Sequence, residues 1–336
     1  MMIDQRMKIL TPRKFLLCAC AMFFAWLGAL ALCSLVGSAG LSWFIFTELR
    51  LPRLLAASLV GAGLSAGGIA LQSILRNPLA EPYLLGISSG AGVGVITSIA
   101  IGAGALAGVS SALVGSGFAF AGAFITSLLV YKLATSTGRL DRLGLILAGV
   151  IINSINGALM LLLHLYLDQG QIVNFAAWMM GSVREDGFSA NLIFAAILIL
   201  LSWSWLIFRS AQYNLLGLGS SVAQSAGVAV NRLRVETFFC VAIAAAASVS
   251  LAGPIGFVGL IVPHVVRVFW KYDCRIQLVA AGFAGAIFML FAHTICYALL
   301  PDVLRAGKVP VGIVTALAGG PFFLLLLKKS QDKRYA

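Results

Sequence analysis

The sequence predicts an all-α membrane protein, a single domain over residues 1–336 with ten transmembrane helices. Three observations lead there. The 336 residues are 61% hydrophobic and only 10% charged, more apolar surface than a soluble fold of this size can hide. The apolar residues fall into ten segments, roughly 15–37, 51–75, 83–103, 106–133, 143–166, 191–209, 235–252, 255–270, 277–300 and 309–327. With both termini inside, 18 of the 23 lysines and arginines lie on the cytoplasmic side, leaving Arg50, Arg53, Arg184, Arg305 and Lys308 outside. That asymmetry fits an even number of spans with an inner N-terminus. The net charge of +12 therefore reads as topology, and no nucleic-acid partner is expected.

The segments follow in order. The first begins after Arg6, Lys8, Arg13 and Lys14 and is long enough to span, so it is read as an uncleaved helix. The second carries Gly63 and Gly67, and the third Gly90 and Gly94; both pairs have the spacing that lets helix backbones approach closely. Between these two spans, Asn77-Pro78-Leu79-Ala80-Glu81-Pro82 holds two prolines four apart. They prevent a continuous helix and make a stiff cytoplasmic turn. The short loop near Ala105 leads to the fourth span, and the fifth follows from 143. Residues Asp168 to Asn191 are expected to form a short helix at the outer interface, with Trp178 as its anchor. Beyond the seventh span, Gly253-Pro254-Ile255-Gly256 supplies turn residues that lead into a short eighth span interrupted by Pro263.

Leu215 to Arg234, on the cytoplasmic side, is the longest central stretch unfit for lipid. Ser220 and Ser221 are expected to cap a short helix, Gly227 to end it, and Asn231 to cap the next one. A lipid-binding interfacial helix would carry a basic face and large apolar residues. This one carries small neutral side chains suited to a cleft on another protein.

Some chemistry is missing. The chain has no GxxxxGK[ST] phosphate loop, HExxH or GxSxG, and its six cysteines show no zinc spacing. No catalytic residue and no bound metal or cofactor is expected. His164, His264 and His293 are far apart in sequence, and every acidic residue lies at or near a span end. An ion-coupled carrier ordinarily places ionisable groups inside its spans. The alternative reading, an ion-coupled secondary transporter acting without an ATPase, would need an ionisable residue within the path, such as a histidine relay, or a main-chain ion site.

Several stretches together resemble one family. They are Arg50-Leu51-Pro52-Arg53, Arg76 to Pro82, Leu84 to Gly92, Leu147 to Val150, Trp178 to Gly181, Ala252 to His264, and Pro310 to Leu317 with Gly320 to Phe323. In this order they are similar to the permeases of ABC importers for iron–siderophore complexes, haem and cobalamin. The resemblance covers nearly the whole chain. It implies the fold of type II importer permeases, a homodimer with a path between its subunits, two cytoplasmic ATP-binding subunits that consume ATP, and a periplasmic or surface-anchored binding protein. It also implies residence in the bacterial cytoplasmic (inner) membrane, with iron–siderophore the first substrate class, then haem, then cobalamin. The ATPase-docking loop would span about 211–234, with Gly217, Leu218, Gly219, Ser220, Ser221, Ala223 and Gln224 at its centre. Arg50 and Arg53 would face the binding protein, and Asn77, Pro78 and Leu79 would belong to the cytoplasmic gate. Two departures stand out. Where the family's docking loop often reads Leu-Gly-Glu-Glu, this one reads Leu218-Gly219-Ser220-Ser221. Near the last span Lys308 stands where glutamate is usual, and Tyr297 replaces an arginine whose contact is assigned to Arg305.

Overall fold

The computed structural model describes residues 12–36, 42–103, 111–136, 139–183, 187–270, 273–300 and 309–335. Apart from a two-residue antiparallel ribbon, Thr135–Ser136 against Arg139–Leu140, the regular structure is helical. Helix α1 is Pro12–Leu35. A π-helical turn, Ile45–Arg50, runs straight into α2, Leu51–Leu75. A 3-10 turn, Pro82–Leu85, follows, and the other α-helices are α3 (Ile87–Ala100), α4 (Ser111–Ala134), α5 (Arg142–His164), α6 (Gln169–Met179), α7 (Ala190–Phe208), α8 (Ser210–Leu218), α9 (Ser220–Ser225), α10 (Val230–Ala252), α11 (Val258–Phe269), α12 (Cys274–Thr294) and α13 (Val311–Tyr335). A second π-helical turn, Ile295–Leu299, extends α12.

Among the described residues, seven helices are long and apolar enough to cross a membrane. Three expected spans, 83–103, 255–270 and 309–327, correspond to shorter apolar helices, Ile87–Ala100, Val258–Phe269 and Val311–Leu324. The third and eighth expected spans are shortened at their starts, because residues 82–86 and 253–257 are not α-helical.

At the centre stand α2 and α10, whose residues Val60, Ile69, Ala70, Leu71, Val241 and Ala246 are fully buried. Around them α1, α5 and α7 turn leucines outward, including Leu17, Leu161 and Leu201, the surface a bilayer would solvate. Glycines allow this packing. A Cβ on Gly61 would come 2.1 Å from the Gly285 carbonyl oxygen on α12, and one on Gly94 2.0 Å from that of Phe118 on α4. The expected close approach at Gly90 and Gly94 is thus made against α4, while Gly63 and Gly67 face Ser248 and Val241 on α10. Asn156 ties three helices together, donating to Ser89 Oγ at 3.0 Å and Thr126 Oγ1 at 3.3 Å.

The short helix expected within Asp168 to Asn191 is present as α6. Asp168 accepts from the Gln171 N–H at 2.8 Å while Gln171 Oε1 accepts from the Asp168 N–H at 3.1 Å, a reciprocal capping box. Trp178 is half-buried and stacks on Phe175, with ring centroids 6.3 Å apart. All six cysteines are free thiols.

Two capping expectations are corrected. The N-cap of α9 is Gly219, at φ 144° and ψ 148°, and neither Ser220 nor Ser221 caps the helix; Ser220 Oγ is taken by arginines instead. Asn231 lies inside α10, whose N-cap is Ala229. Its Oδ1 accepts from the Leu140 N–H at 3.1 Å, so a long-range demand for an acceptor outcompetes the local cap. Gly227 does end α9, at φ 84°. The Val228 N–H bonds the Ala223 carbonyl and the Gly227 N–H that of Gln224, both at 2.9 Å, a Schellman closure.

Candidate coupling platform and gate

Helices α8 and α9 form a bent platform outside the spans, joined at Gly219. Three anchors hold it. The Tyr213 ring is buried, with its hydroxyl 2.7 Å from Thr237 Oγ1 on α10. Burial raises the phenol's pKa above its ordinary value, with the Thr237 hydrogen bond opposing. Asn214 donates to Asp273 Oδ1 at 2.9 Å and accepts from the Cys274 N–H at 2.8 Å, which ties the platform to the start of α12. Arg76, which ends α2 in the left-handed conformation at φ 51°, donates to the Leu216 carbonyl. Leu216 and Ala223 are fully buried, while Leu218 is 70% and Val222 46% exposed. The platform is therefore rigidly seated on α2, α10 and α12 and presents apolar side chains outward. Of the sequence-predicted docking residues, Gly217, Leu218, Ser221 and Gln224 are exposed, Gly219 and Ser220 half-buried, and Ala223 points into the core.

The Asn77-Pro78-Leu79 turn sits beside it. Asn77 Oδ1 accepts from the Leu79 N–H at 3.0 Å, and the Asn77 carbonyl from the Ala80 N–H at 3.1 Å. The turn is therefore closed by its own side chain. Pro78 is exposed, while Asn77 and Leu79 are half-buried.

Buried Gln72 fastens this turn to α11. Its Nε2 donates to the Ala80 carbonyl at 3.1 Å and to the Gly259 carbonyl at 3.2 Å, and its Oε1 accepts from Arg267 Nη1. The Gly259 carbonyl needs such a donor because Pro263, four residues on, has no N–H to give it. Close approach makes the bond possible: a Cβ on Gly68 would lie 2.0 Å from the Gly259 oxygen.

The 3-10 turn Pro82–Leu85 and its N-cap Glu81 also bond the irregular segment 253–257, side chain to backbone. Tyr83 Oη accepts from the Ile255 N–H at 3.0 Å, and the Glu81 carboxyl accepts from the Phe257 N–H. Phe257, at φ 68°, is a left-handed non-glycine residue that starts α11. Burial pushes the Glu81 carboxyl up to about 7, with the Phe257 N–H pulling it down.

Three resemblance-bearing motifs converge around Gly181, Pro254 and Gly312. Gly181 accepts at its carbonyl from the Gly312 N–H at 3.1 Å. A Cβ on Gly181 would sit 2.1 Å from the Pro254 oxygen, and one on Gly312 2.3 Å from that of Met180.

Arg50 and Arg53 line a cavity of about 150 Å³ with Cys33, His293, Thr294 and Tyr297. Arg50 donates to the Ser34 carbonyl at 2.8 Å. Arg53 is only 6% exposed, and its guanidinium lies 4.4 Å over the Tyr297 ring, which stacks on His293. Tyr297 thus holds Arg53 down within the single chain. Arg305 lies outside the described residues, as do Arg184 and Lys308.

The three histidines stay apart in their roles. His164 Nδ1 bonds the Met160 carbonyl at 2.8 Å, His264 packs on Phe322, and His293 on Tyr297. Among the described residues no group of three or more His, Cys, Asp or Glu side chains is gathered for a metal. Sequence reasoning missed Gln72, Arg267, Tyr83, Tyr213 and Asn214. The signal for Gln72 was a lone amide within an apolar span.

Among the described residues, a bundle of seven helices long and apolar enough to cross a membrane, with a rigid platform outside them, defines a multi-spanning membrane protein. The model of the FecCD transport family matches residues 14–329, and the chain belongs to that family. The hemin transport system permease protein HmuU of Yersinia pestis is 37% identical over 295 residues, 87% of this chain and 85% of that protein. The vitamin B12 import system permease protein BtuC of Salmonella paratyphi A is 37% identical over 290 residues, covering 84% and 83% of the two chains. A solved metal-chelate type ABC transporter in an inward-facing conformation superposes with a TM-score of 0.79. It is 31% identical and covers 93% of this chain and 99% of that one.

Proposed function

We propose that this chain is the permease subunit of an ATP-driven importer that carries a metal chelate into the cytoplasm, with iron–siderophore the leading substrate class, then haem, then cobalamin. It spans the inner membrane ten times with both termini in the cytoplasm. It pairs with a second copy of itself and with two ATP-binding subunits that hydrolyse the ATP. The observation that carries this reading is the platform α8–α9. It is seated by Tyr213, Asn214 and Leu216 on three long helices and exposes Leu218 and Val222. A push on such a rigid lever moves α2, α10 and α12 together, and with them the Asn77-Pro78-Leu79 gate bonded to α11 through Gln72. Arg50 is assigned to an acidic side chain of a periplasmic or surface-anchored binding protein; Arg53 is assigned there on the resemblance and would have to leave Tyr297 to reach it. Arg305 is assigned there on the resemblance alone.

The test is chelated-iron uptake into proteoliposomes that hold the permease with its ATPase and binding protein, with and without enclosed ATP. Uptake that requires ATP and both partners is expected. Uptake by the chain alone, indifferent to ATP, would overturn the reading in favour of ion coupling.

A further inference from the structure

Three arginines from different elements gather at the base of the platform. Arg142 Nη2, on the first turn of α5, lies 3.4 Å from Ser220 Oγ, and Arg234 Nη2, on α10, lies 3.3 Å from the same atom. Arg76, at the end of α2, is near enough to repel both. Arginines at the cytoplasmic ends of spans are ordinary. Two guanidiniums converging on one neutral hydroxyl are not, because a serine oxygen offers no charge to balance them. The nearby acid, Asp141, attracts both Arg142 and Arg234 while capping α5 through the Gly144 N–H at 2.6 Å, one carboxylate against three guanidiniums. Arg234 Nε is buried without a hydrogen-bond partner. Guanidinium groups favour a planar bidentate acceptor such as a carboxylate. Ser220 stands at the edge of this cluster, half-buried, between exposed Leu218 and Val222.

We propose that Arg76, Arg142 and Arg234 form a cationic seat for an acidic side chain of the cytoplasmic ATPase subunit, with Leu218 and Val222 as the apolar rim. The inference rests on the importer reading and adds the charge of the partner's contact. Asp141 balances one of the three charges, and the excess of positive charge beside an exposed apolar rim is what an acidic side chain of the partner would complement. An apolar rim beside the charge fits a folded protein surface better than a free anion.

The experiment uses the full-length permease in nanodiscs of zwitterionic lipid and the ATPase that co-purifies with it and hydrolyses ATP. The dissociation constant is measured against salt concentration for wild type, Arg142→Glu/Arg234→Glu, Ser220→Glu and Ser220→Ala. Wild-type binding should weaken as salt rises. Ser220→Glu, which supplies an internal carboxylate, and the double charge reversal should each weaken binding by about tenfold or more and flatten the salt dependence. Ser220→Ala keeps all three cations, so its binding should stay as steeply salt-dependent as wild type whatever its affinity. The milder Arg142→Gln/Arg234→Gln serves if the charge reversal fails to fold. ATPase binding by every folded variant with wild-type affinity and salt dependence would overturn the seat and leave the importer reading standing. Effects that arise only when anionic lipid is added would overturn it in favour of a lipid headgroup. Failure of any ATPase to bind, with ATP-independent uptake, would overturn both.

Discussion

Replacing Gln72 by leucine removes one side chain that satisfies three groups. The amide donates to the carbonyls of Ala80 and Gly259 and accepts from Arg267, and it is 3% exposed. Leucine fits the volume and offers no polar atom. Each buried carbonyl left unpaired costs about 1 kcal/mol at least, and the half-buried Arg267 adds a comparable amount, for a total on the order of 3 kcal/mol. The assay is unfolding of the purified permease by SDS in mixed micelles, read as a free energy. It is repeated for Arg267→Met and for the double variant. Because the two side chains share a bond, the double loss should fall short of the sum of the single losses. A Gln72→Leu protein within about 0.5 kcal/mol of wild type, or strictly additive losses, would refute the claim that this amide fastens the Asn77-Pro78-Leu79 turn to α11.

Further outcomes follow from the same geometry. Gly68→Ala drives a methyl group to 2.0 Å from the Gly259 carbonyl oxygen, so it should cost about 2 kcal/mol or more. Gly117→Ala, with nothing within 4 Å, should be nearly silent; monodisperse yield on size exclusion compares the two. The Glu81 carboxyl titrates at about 7 in the fold against 4.5 ordinarily. The folded chain therefore holds an extra proton between these values, and its stability is greatest below 4.5 and declines as pH rises through 7. Glu81→Gln, which cannot ionise, should flatten that decline in thermal midpoints measured from pH 4.5 to pH 8. Superimposable profiles would count against the burial of this carboxyl.

The sequence exposes whatever depends on lipid or on local backbone chemistry. Long apolar runs mark α1, α2, α4, α5, α7, α10 and α12. The two prolines of 77–82 mark the turn, and Gly227 marks the end of α9. What it hides depends on partners distant in the chain. Ser220 and Asn231 look like caps because their short side chains serve that role locally. In the fold, arginines from α5 and α10 claim the first, and a ribbon N–H claims the second. Residues 253–257 leave the helix where the side chains of Tyr83 and Glu81, more than 170 positions away, satisfy the Ile255 and Phe257 N–H groups. The bond between Gln72 and Gly259 crosses 187 positions, beyond any periodicity. Arg53 looks like a surface cation until Tyr297, more than two hundred residues away, is seen beneath its guanidinium.

The most direct measurement of the central claim is ATP-driven uptake by Leu218→Ser/Val222→Ser. Both side chains are exposed, at 70% and 46%, so the permease should remain folded while the platform loses its outward apolar grip. The account predicts that chelated-iron uptake and ATPase association fall together, with unfolding unchanged. Uptake at the wild-type rate by a permease so altered would show that force does not enter through α8–α9 and would contradict it.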